Sequence, residues 1–330
     1  MVTMTDHLAR IGELAQVLLP RYDFSPQAQA TLINHSENAT YRIDDPAQPA
    51  PAILRIHRRG YHTEQAIRSE LHWLEALGRH EGIVTSRSIP ARDGTLIQSV
   101  SSAALPEPRH AVMFTFLSGT EPVEDDLLGP FERLGTVSAH MHDQARHWSL
   151  PQDFTRQVWD HDGALGQRAI WGRWQAGIGM TAQSEKLFAR LSDTIRHRLE
   201  KFGRARDRFG LVHADIRLAN LLVEDEVTKV IDFDDCGFGW FLYDIGTALS
   251  FIEHRSDVPE LVDAWLRGYR KVAQLSAEEE TEIPTFIMLR RLLLVAWIGS
   301  HHETDLARSM GEAYTAGTCA LAETYLSRYG

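Results

Sequence analysis

The feature that most constrains the fold of this chain is a polar loop held between short apolar segments, from Leu211 to Asp235. The apolar residues predict short buried strands on either side of the loop. Asp215, Asn220 and Asp232 lie where these strands begin or end. We therefore expect three oxygen-bearing side chains to converge on one point.

Oxygen-bearing side chains in this order suit phosphoryl transfer. That reaction needs a carboxylate to accept the proton of the attacking hydroxyl, and hard oxygen ligands for the metal ions that bridge the phosphates. An Asp, four residues, an Asn and then a second Asp is the order of the kinase catalytic loop. In that template Asp215 is the catalytic base, and Asn220 and Asp232 hold Mg²⁺ beside ATP.

The loop resembles the aminoglycoside phosphotransferase and choline kinase superfamily more than the protein kinases. Members of that group carry His-Gly-Asp-x4-Asn and then Ile-Asp with an aromatic residue, and this chain has His-Ala-Asp-x4-Asn and Ile-Asp-Phe-Asp. The resemblance covers residues 30–255 and is strongest to homoserine kinase-like, hydroxylysine kinase-like and stress-response kinase-like members. It implies an α+β, two-lobed, protein-kinase-like fold with a small β-rich N-lobe and a larger, mostly helical C-lobe.

The resemblance also implies roles for residues around the loop. Asp244 lies in a segment similar to the family's next helix and is expected to buttress the loop, while His213 braces its backbone. Asp234 and Asp235 either contact the substrate or a metal ion, or are solvated. Asp160 lies in a tryptophan-rich segment, which either packs in the core or binds an amine by charge and cation–π contacts.

The first third of the chain is then expected to bind the nucleotide. Arg55 occupies the strand position at which a kinase carries its phosphate-contacting Lys, and Glu70 follows on an amphipathic helix. Arg retains the charge of Lys, but the two residues are not interchangeable. The alternative is an ordinary strand arginine beside a surface glutamate.

Two further segments complete the expected nucleotide site. No GxGxxG loop precedes Arg55, but a turn containing Ser36 and Asn38 can cover phosphates, or can be only a hairpin turn. The backbone of Phe114 and Phe116 is expected to contact adenine. A glycine-containing connector follows, so we predict an N-lobe over residues 1–117 and a C-lobe over residues 118–330.

Apolar periodicity predicts the remaining elements. Strands are expected at residues 30–33, 40–43, 52–57, 96–99 and 111–116, and helices at residues 5–19, 63–77, 127–147, 181–202 and from 257 to the end. The apolar run Leu292–Ile298 is too short to span a membrane and predicts a buried helix.

Composition restricts the partners. The net charge of −11, from 34 basic and 45 acidic residues, disfavours nucleic acid and is compatible with a cationic small molecule that carries a hydroxyl. Arg or Lys side chains around Asp215 would instead indicate an anionic acceptor. Two cysteines without a CxxC pair, and a start unlike a signal peptide, favour a cytoplasmic protein without a membrane partner. The sequence leaves the oligomeric state open.

These observations favour an ATP- and Mg²⁺-dependent kinase that phosphorylates a hydroxyl of an amino alcohol, a hydroxy amino acid or an aminoglycoside-like molecule. One alternative is a Ser/Thr protein kinase of the stress-response type. Another is a nucleotide-binding pseudokinase, for which Arg55 in place of Lys is the only support. The identity of the acceptor stays open.

Overall fold

The structure is a computed structural model that describes residues 4–35, 38–122 and 127–330. The chain forms two compact units. The first unit contains Met1–Arg79, Val84–Ser118 and Leu150–Thr155, and the second contains His80–Ile83, Gly119–Ser149 and Arg156–Gly330. The main change from one unit to the other thus occurs between residues 118 and 119.

The first unit is built on a six-stranded antiparallel sheet. The strands of this part of the chain are β1 (Gln29–His35), β2 (Ala39–Asp44), β3 (Ala52–Ile56), β4 (Val84–Thr85), β5 (Ser88–Ile89), β6 (Ile97–Val100) and β7 (Arg109–Thr115). Five strands of the sheet follow the order β1-β2-β3-β7-β5, and β6 pairs with β7. The sequence predicted the longer strands, but β4 and β5 have two residues each, which is too short for a periodic pattern.

Two helices accompany this sheet, α1 (Met4–Leu18) and α2 (Glu64–Leu77). Leu14 and Leu18 of α1 belong to the same buried cluster as Leu54 of β3, because one apolar face of the helix covers the sheet. The hydroxyl of Thr63 caps α2 by accepting a hydrogen bond from the N–H of Ala66. Both helices were predicted to within one residue at each end.

The second unit is mainly helical. Its helices are α3 (Leu128–His147), α4 (His161–Leu165), α5 (Ala182–Phe202), α6 (Tyr243–Ala248), α7 (Val258–Tyr269), α8 (Ala277–Ser300) and α9 (Asp305–Tyr329). Helices α3 and α7 approach closely at a glycine, since a Cβ atom on Gly268 would lie 1.8 Å from the carbonyl oxygen of Glu132. This contact fixes α3, which carries a residue of the site.

Two antiparallel strand pairs frame the polar loop. Strand β8 (Phe209–Val212) pairs with β11 (Gly237–Trp240), and β9 (Leu221–Glu224) pairs with β10 (Val227–Val230). The loop of residues 213–220 joins β8 to β9, and residues 231–236 join β10 to β11. Both segments therefore leave the strands at neighbouring ends, where Val212, Leu221 and Val230 are buried, which confirms the predicted apolar arms.

Helix α8 is long and apolar enough to cross a membrane by length and composition alone. However, 72% of its most apolar window is buried inside the protein, as in the core helix of a globular protein. The run Leu292–Ile298 lies in this helix, so the prediction of a buried helix there is confirmed. The helix also contains two adjacent buried arginines, Arg290 and Arg291.

Candidate active site

Helix α6 holds the backbone of the catalytic loop, which we define as residues 213–220. The carboxylate of Asp244 accepts hydrogen bonds from the N–H groups of His213 (3.2 Å) and Ala214 (2.8 Å). The hydroxyl of Thr247, one turn further along α6, accepts the N–H of Ile216 at 3.1 Å. These bonds fix the loop conformation from one side. The family resemblance predicted this role for Asp244, but nothing in the sequence singled out Thr247.

A second layer supports Asp244. His142, on α3, donates a hydrogen bond from Nε2 to the Asp244 carboxylate at 2.9 Å. Its Nδ1 atom accepts a hydrogen bond from the hydroxyl group of Tyr269 at 3.1 Å. Burial lowers the pKa of His142, although the bond to Asp244 opposes this. A neutral ring fits both hydrogen bonds. His142 is fully buried.

His213 links the two segments of the site. Its Nε2 donates to the carbonyl oxygen of Ile231 at 3.0 Å, and its Nδ1 accepts the N–H of Asp215 at 3.3 Å. Burial lowers the pKa of this histidine as well. A neutral ring with the proton on Nε2 satisfies both contacts, so His213 acts on backbone groups.

Asp215 is surrounded by hydrogen-bond donors. Its Oδ1 atom lies 2.5 Å from Nη2 of Arg290, and its Oδ2 atom receives Nδ2 of Asn220 (3.0 Å) and Nε of Arg217 (3.3 Å). Burial alone raises the pKa of the Asp215 carboxyl, but the charges of Arg217 and Arg290 hold it below its usual range. Asp215 is therefore a carboxylate at neutral pH.

The two predicted metal ligands lie at the same end of one strand pair. Asn220 precedes β9, Asp232 follows β10 by two residues, and the N–H of Ile231 donates to the carbonyl oxygen of Asn220 at 3.0 Å. The side-chain Nδ2 of Asn220 also donates to the carbonyl oxygen of Asp215 at 2.8 Å. Because its amide nitrogen faces Asp215, the amide oxygen of Asn220 is the atom that can bind a cation.

Two non-glycine residues of the site have left-handed backbone, Ala214 (φ 66°) and Asp232 (φ 62°). This conformation costs roughly 1–2 kcal/mol for an L-residue other than glycine, and such residues cluster at functional sites. Ala214 stands where the resembled family has glycine. The hydrogen bond from its N–H to Asp244 helps to hold it in this conformation.

The three acidic residues predicted to contact the substrate, Asp160, Asp234 and Asp235, each form hydrogen bonds with other residues of the second unit. Asp160 caps α4 through the N–H of Gly163 and pairs with Arg204 at 2.7 Å. Asp234 is buried, and its carbonyl oxygen accepts a hydrogen bond from Arg156. Asp235 is half-buried, and its carbonyl oxygen accepts the indole N–H of Trp159 at 2.7 Å.

The first unit contains the predicted Arg55–Glu70 pair. Nη2 of Arg55 lies 2.6 Å from Oε1 of Glu70, and both side chains are buried. The Arg55 guanidinium also lies over the ring of Phe114, 5.0 Å from its centroid. The alternative of a surface glutamate is therefore wrong, because Glu70 is fully buried.

The remaining predicted nucleotide contacts lie in the same unit. Ser36 lies outside the described residues, whereas Asn38 is buried and accepts the backbone N–H of Arg58 at 2.8 Å. Phe114 lies inside β7, opposite Ile53 on one side and Ser88 on the other. Phe116 follows the end of β7.

Comparison with known proteins places the chain in a family. A family model described as the phosphotransferase enzyme family matches residues 29–280. A solved structure of a microcompartment-associated aminopropanol kinase is 44% identical with a TM-score of 0.88, covering 96% of this chain and 98% of that one. Amicoumacin kinase of Bacillus subtilis (strain 168) is 26% identical over 303 residues, covering 88% of this chain and 85% of the relative.

More distant structures agree on the fold. Amicoumacin kinase hAmiN, solved in complex with AMP-PNP, Ca²⁺ and Ami, has a TM-score of 0.77 at 22% identity, covering 97% of this chain and 95% of that one. The chain belongs to the phosphotransferase enzyme family. It is a phosphotransferase of the small-molecule kinase type, and the predicted protein-kinase-like α+β fold is confirmed.

Proposed function

We propose that this protein transfers the γ-phosphoryl group of ATP to a hydroxyl of a small amino alcohol, with Asp215 as the base. The observation that carries the proposal is the Asp215 carboxylate, which is held by Asn220 and Arg217 of the catalytic loop and by Arg290 of α8. Asp215 orients the acceptor hydroxyl toward the phosphorus and receives its proton as the new O–P bond forms. The bond between the γ-phosphorus and ADP breaks, and ADP leaves with the bridging oxygen.

We further propose that Asn220 and Asp232 hold a divalent cation. An amide oxygen and a carboxylate are hard oxygen ligands of the kind that suit Mg²⁺, which typically takes few protein ligands and completes its shell with water and phosphates. Among the described residues, no group of three or more His, Cys, Asp or Glu side chains is placed to bind a metal by itself. The cation, once bound, supplies positive charge to the phosphates.

The first unit is proposed to contribute Arg55 to the nucleotide phosphates. The ion pair with Glu70 and the contact with the ring of Phe114 hold the Arg55 guanidinium in place. A guanidinium donates two parallel hydrogen bonds to phosphate oxygens more readily than an ammonium does. Arginine at this position is therefore compatible with an active kinase, which argues against the pseudokinase reading. Phe116 and the neighbouring backbone remain the proposed contacts with adenine.

The proposal that the acceptor carries an amine is supported by the 44% identity to the aminopropanol kinase. Two arginines contact Asp215, which by itself favours an anion. However, both arginines pair with that carboxylate, and Asp235 adds a further negative charge nearby. The effect of Asp235 is felt at Tyr243, whose pKa is raised to about 12 mainly by burial and further by the charges of Asp215 and Asp235. The charges around Asp215 are thus balanced, and a cationic acceptor is not repelled by them.

A matched pair of acceptors tests this proposal. We expect 1-amino-2-propanol to be phosphorylated with kcat/KM at least about tenfold above that of 1,2-propanediol, because a hydrogen bond to a charged group contributes about 1.5–3 kcal/mol. Steady-state assays with MgATP measure both values. Equal or faster turnover of the diol would contradict a cationic acceptor.

A wider panel separates the alternatives. It contains ethanolamine, choline, homoserine, hydroxylysine, spectinomycin, amicoumacin and a generic protein substrate. The 26% identity to amicoumacin kinase makes the antibiotic the second candidate acceptor, and a clear preference for it would replace the amino alcohol. Phosphate incorporation into protein alone would favour the protein kinase, and absence of turnover with every acceptor would favour a pseudokinase.

Asp232→Ala is expected to weaken binding of MgATP at least about tenfold. Loss of a residue that only supports a metal ligand typically costs 10–100-fold in affinity, and loss of a ligand should cost no less. Isothermal titration with MgATP and with metal-free ATP measures the effect, which should vanish without the metal. Asp225→Ala, at an exposed position in the β9–β10 turn, is the control. Equal MgATP affinity in Asp232→Ala and the parent would remove Asp232 from the metal site.

A further inference from the structure

Arg290 is a buried charge in an apolar segment of α8, next to a second buried arginine, Arg291. Arg290 is only 1% exposed, and its Nη2 atom lies 2.5 Å from Oδ1 of Asp215. Replacing a buried ion pair by apolar residues is often neutral or stabilising. Stability alone therefore does not account for an arginine at this place in α8.

The guanidinium of Arg290 is fixed on several sides. Its Nε donates to the hydroxyl of Ser250 at 2.9 Å, and its Nη1 donates to the carbonyl oxygen of Ala214 at 3.3 Å. Its Cζ atom lies over the ring of Trp171, 4.8 Å from the centroid. Because these contacts fix the guanidinium, its Nη2 atom is held where one of its N–H groups donates to Asp215.

The neighbouring arginine offers a direct contrast. Arg291 is also buried, and it pairs with Glu253 at 2.7 Å and donates to the carbonyl oxygen of Tyr314 at 3.0 Å. These partners lie on α9 and in the segment after α6, and neither belongs to the catalytic loop. Arg291 ties helices together, whereas Arg290 reaches the proposed base.

The hydrogen bonds to Asp215 distinguish its two oxygens. Oδ2 receives two donors, from Asn220 and Arg217, which match its two lone pairs. Within the part of the chain that the structure describes, Oδ1 receives one hydrogen bond, from Arg290. The second lone pair of Oδ1 is thus the acceptor for the substrate hydroxyl, and its direction depends on where Arg290 holds that oxygen.

We propose that Arg290 is a positioning residue for phosphoryl transfer, which fixes Oδ1 of Asp215 toward the acceptor hydroxyl. The proposal rests on the proposed function, since it presumes that Asp215 is the base. Arg290 itself is too buried to touch the acceptor, and it acts through Asp215. Helix α8, which lies outside the recognised catalytic motifs, thereby contributes to the reaction.

Four variants test the proposal, namely R290K, R290M and the matched controls R291K and R291M. We expect R290M to lower kcat by about 10²-fold, because a small displacement of a catalytic group can cost that much. R290K should recover part of the loss, since it restores the charge without the fork. The KM values for ATP and acceptor should stay within about threefold, and R291K should keep the parental kcat.

Circular dichroism, thermal unfolding and ATP titration establish that each variant is folded and binds nucleotide. S250A is the milder variant in case R290M does not fold, because it removes the Nε acceptor and keeps the charge, and it should lower kcat several-fold. Parental kcat in folded R290K and R290M, or an equal loss of kcat in R290K and R291K, would overturn the proposal. An active Asp215→Asn enzyme would instead refute the proposed function, so the two failures are distinguishable.

Discussion

Replacing Asp215 by Asn is expected to reduce kcat by about 10² to 10⁴ while nucleotide affinity changes little, which is the usual contribution of a positioned acid–base group. The amide retains the size of the carboxylate but lacks a negative charge and the ability to take a proton. It also places an N–H₂ group opposite donors from Arg290 or from Asn220 and Arg217. Both effects act on the acceptor hydroxyl.

Single-turnover phosphorylation and calorimetric ATP titration separate chemistry from binding in this variant. Asp225→Asn is the matched control, because Asp225 is exposed and lies in the turn between β9 and β10, away from the catalytic loop. Its kcat should equal the parental value. A parental kcat in Asp215→Asn would exclude Asp215 from the mechanism, whatever the effect on stability.

Replacing Asp244 by Ala is expected to lower the free energy of unfolding by about 3–5 kcal/mol and to abolish most activity. The carboxylate is fully buried and accepts hydrogen bonds from His142 and from the backbone N–H groups of His213 and Ala214. Its removal leaves these three buried donors without an acceptor, and each buried donor left unsatisfied costs about 1–3 kcal/mol. The catalytic loop also loses the bonds that fix its conformation.

Urea unfolding followed by circular dichroism measures the stability loss, and Asp263→Ala, at an exposed position of α7, is the control. Combining Asp244→Ala with His142→Phe should cost less than the sum of the single changes, because the two side chains share one hydrogen bond. A loss below about 1 kcal/mol in Asp244→Ala would show that the loop is held in another way.

The catalytic loop could be predicted because its information is local. Asp215, Asn220 and Asp232 lie within one short stretch, and apolar residues on each side predict the strands that carry them. The Arg55–Glu70 pair followed from the same kind of pattern, a strand and the next amphipathic helix. The helix bounds were close for the same reason, since caps and apolar faces are local signals.

Other features depended on distant parts of the chain. Asp160 is a candidate amine ligand by sequence, but its two oxygens cap α4 and pair with Arg204. An acid at a helix start looks the same in sequence whether it binds a ligand or a backbone N–H group. The choice between the two requires the position of the neighbouring helix and of the arginine.

The sequence by itself determined the fold class, the family and the residues proposed for chemistry, because each is written in short patterns of polarity and spacing. Only the tertiary structure decided what surrounds Asp215. Arg290 lies 75 residues from it along the chain, and His142 lies 102 residues from Asp244. Contacts of that separation arise from helix packing, where buried area and shape complementarity choose the neighbours, and no local pattern records the outcome.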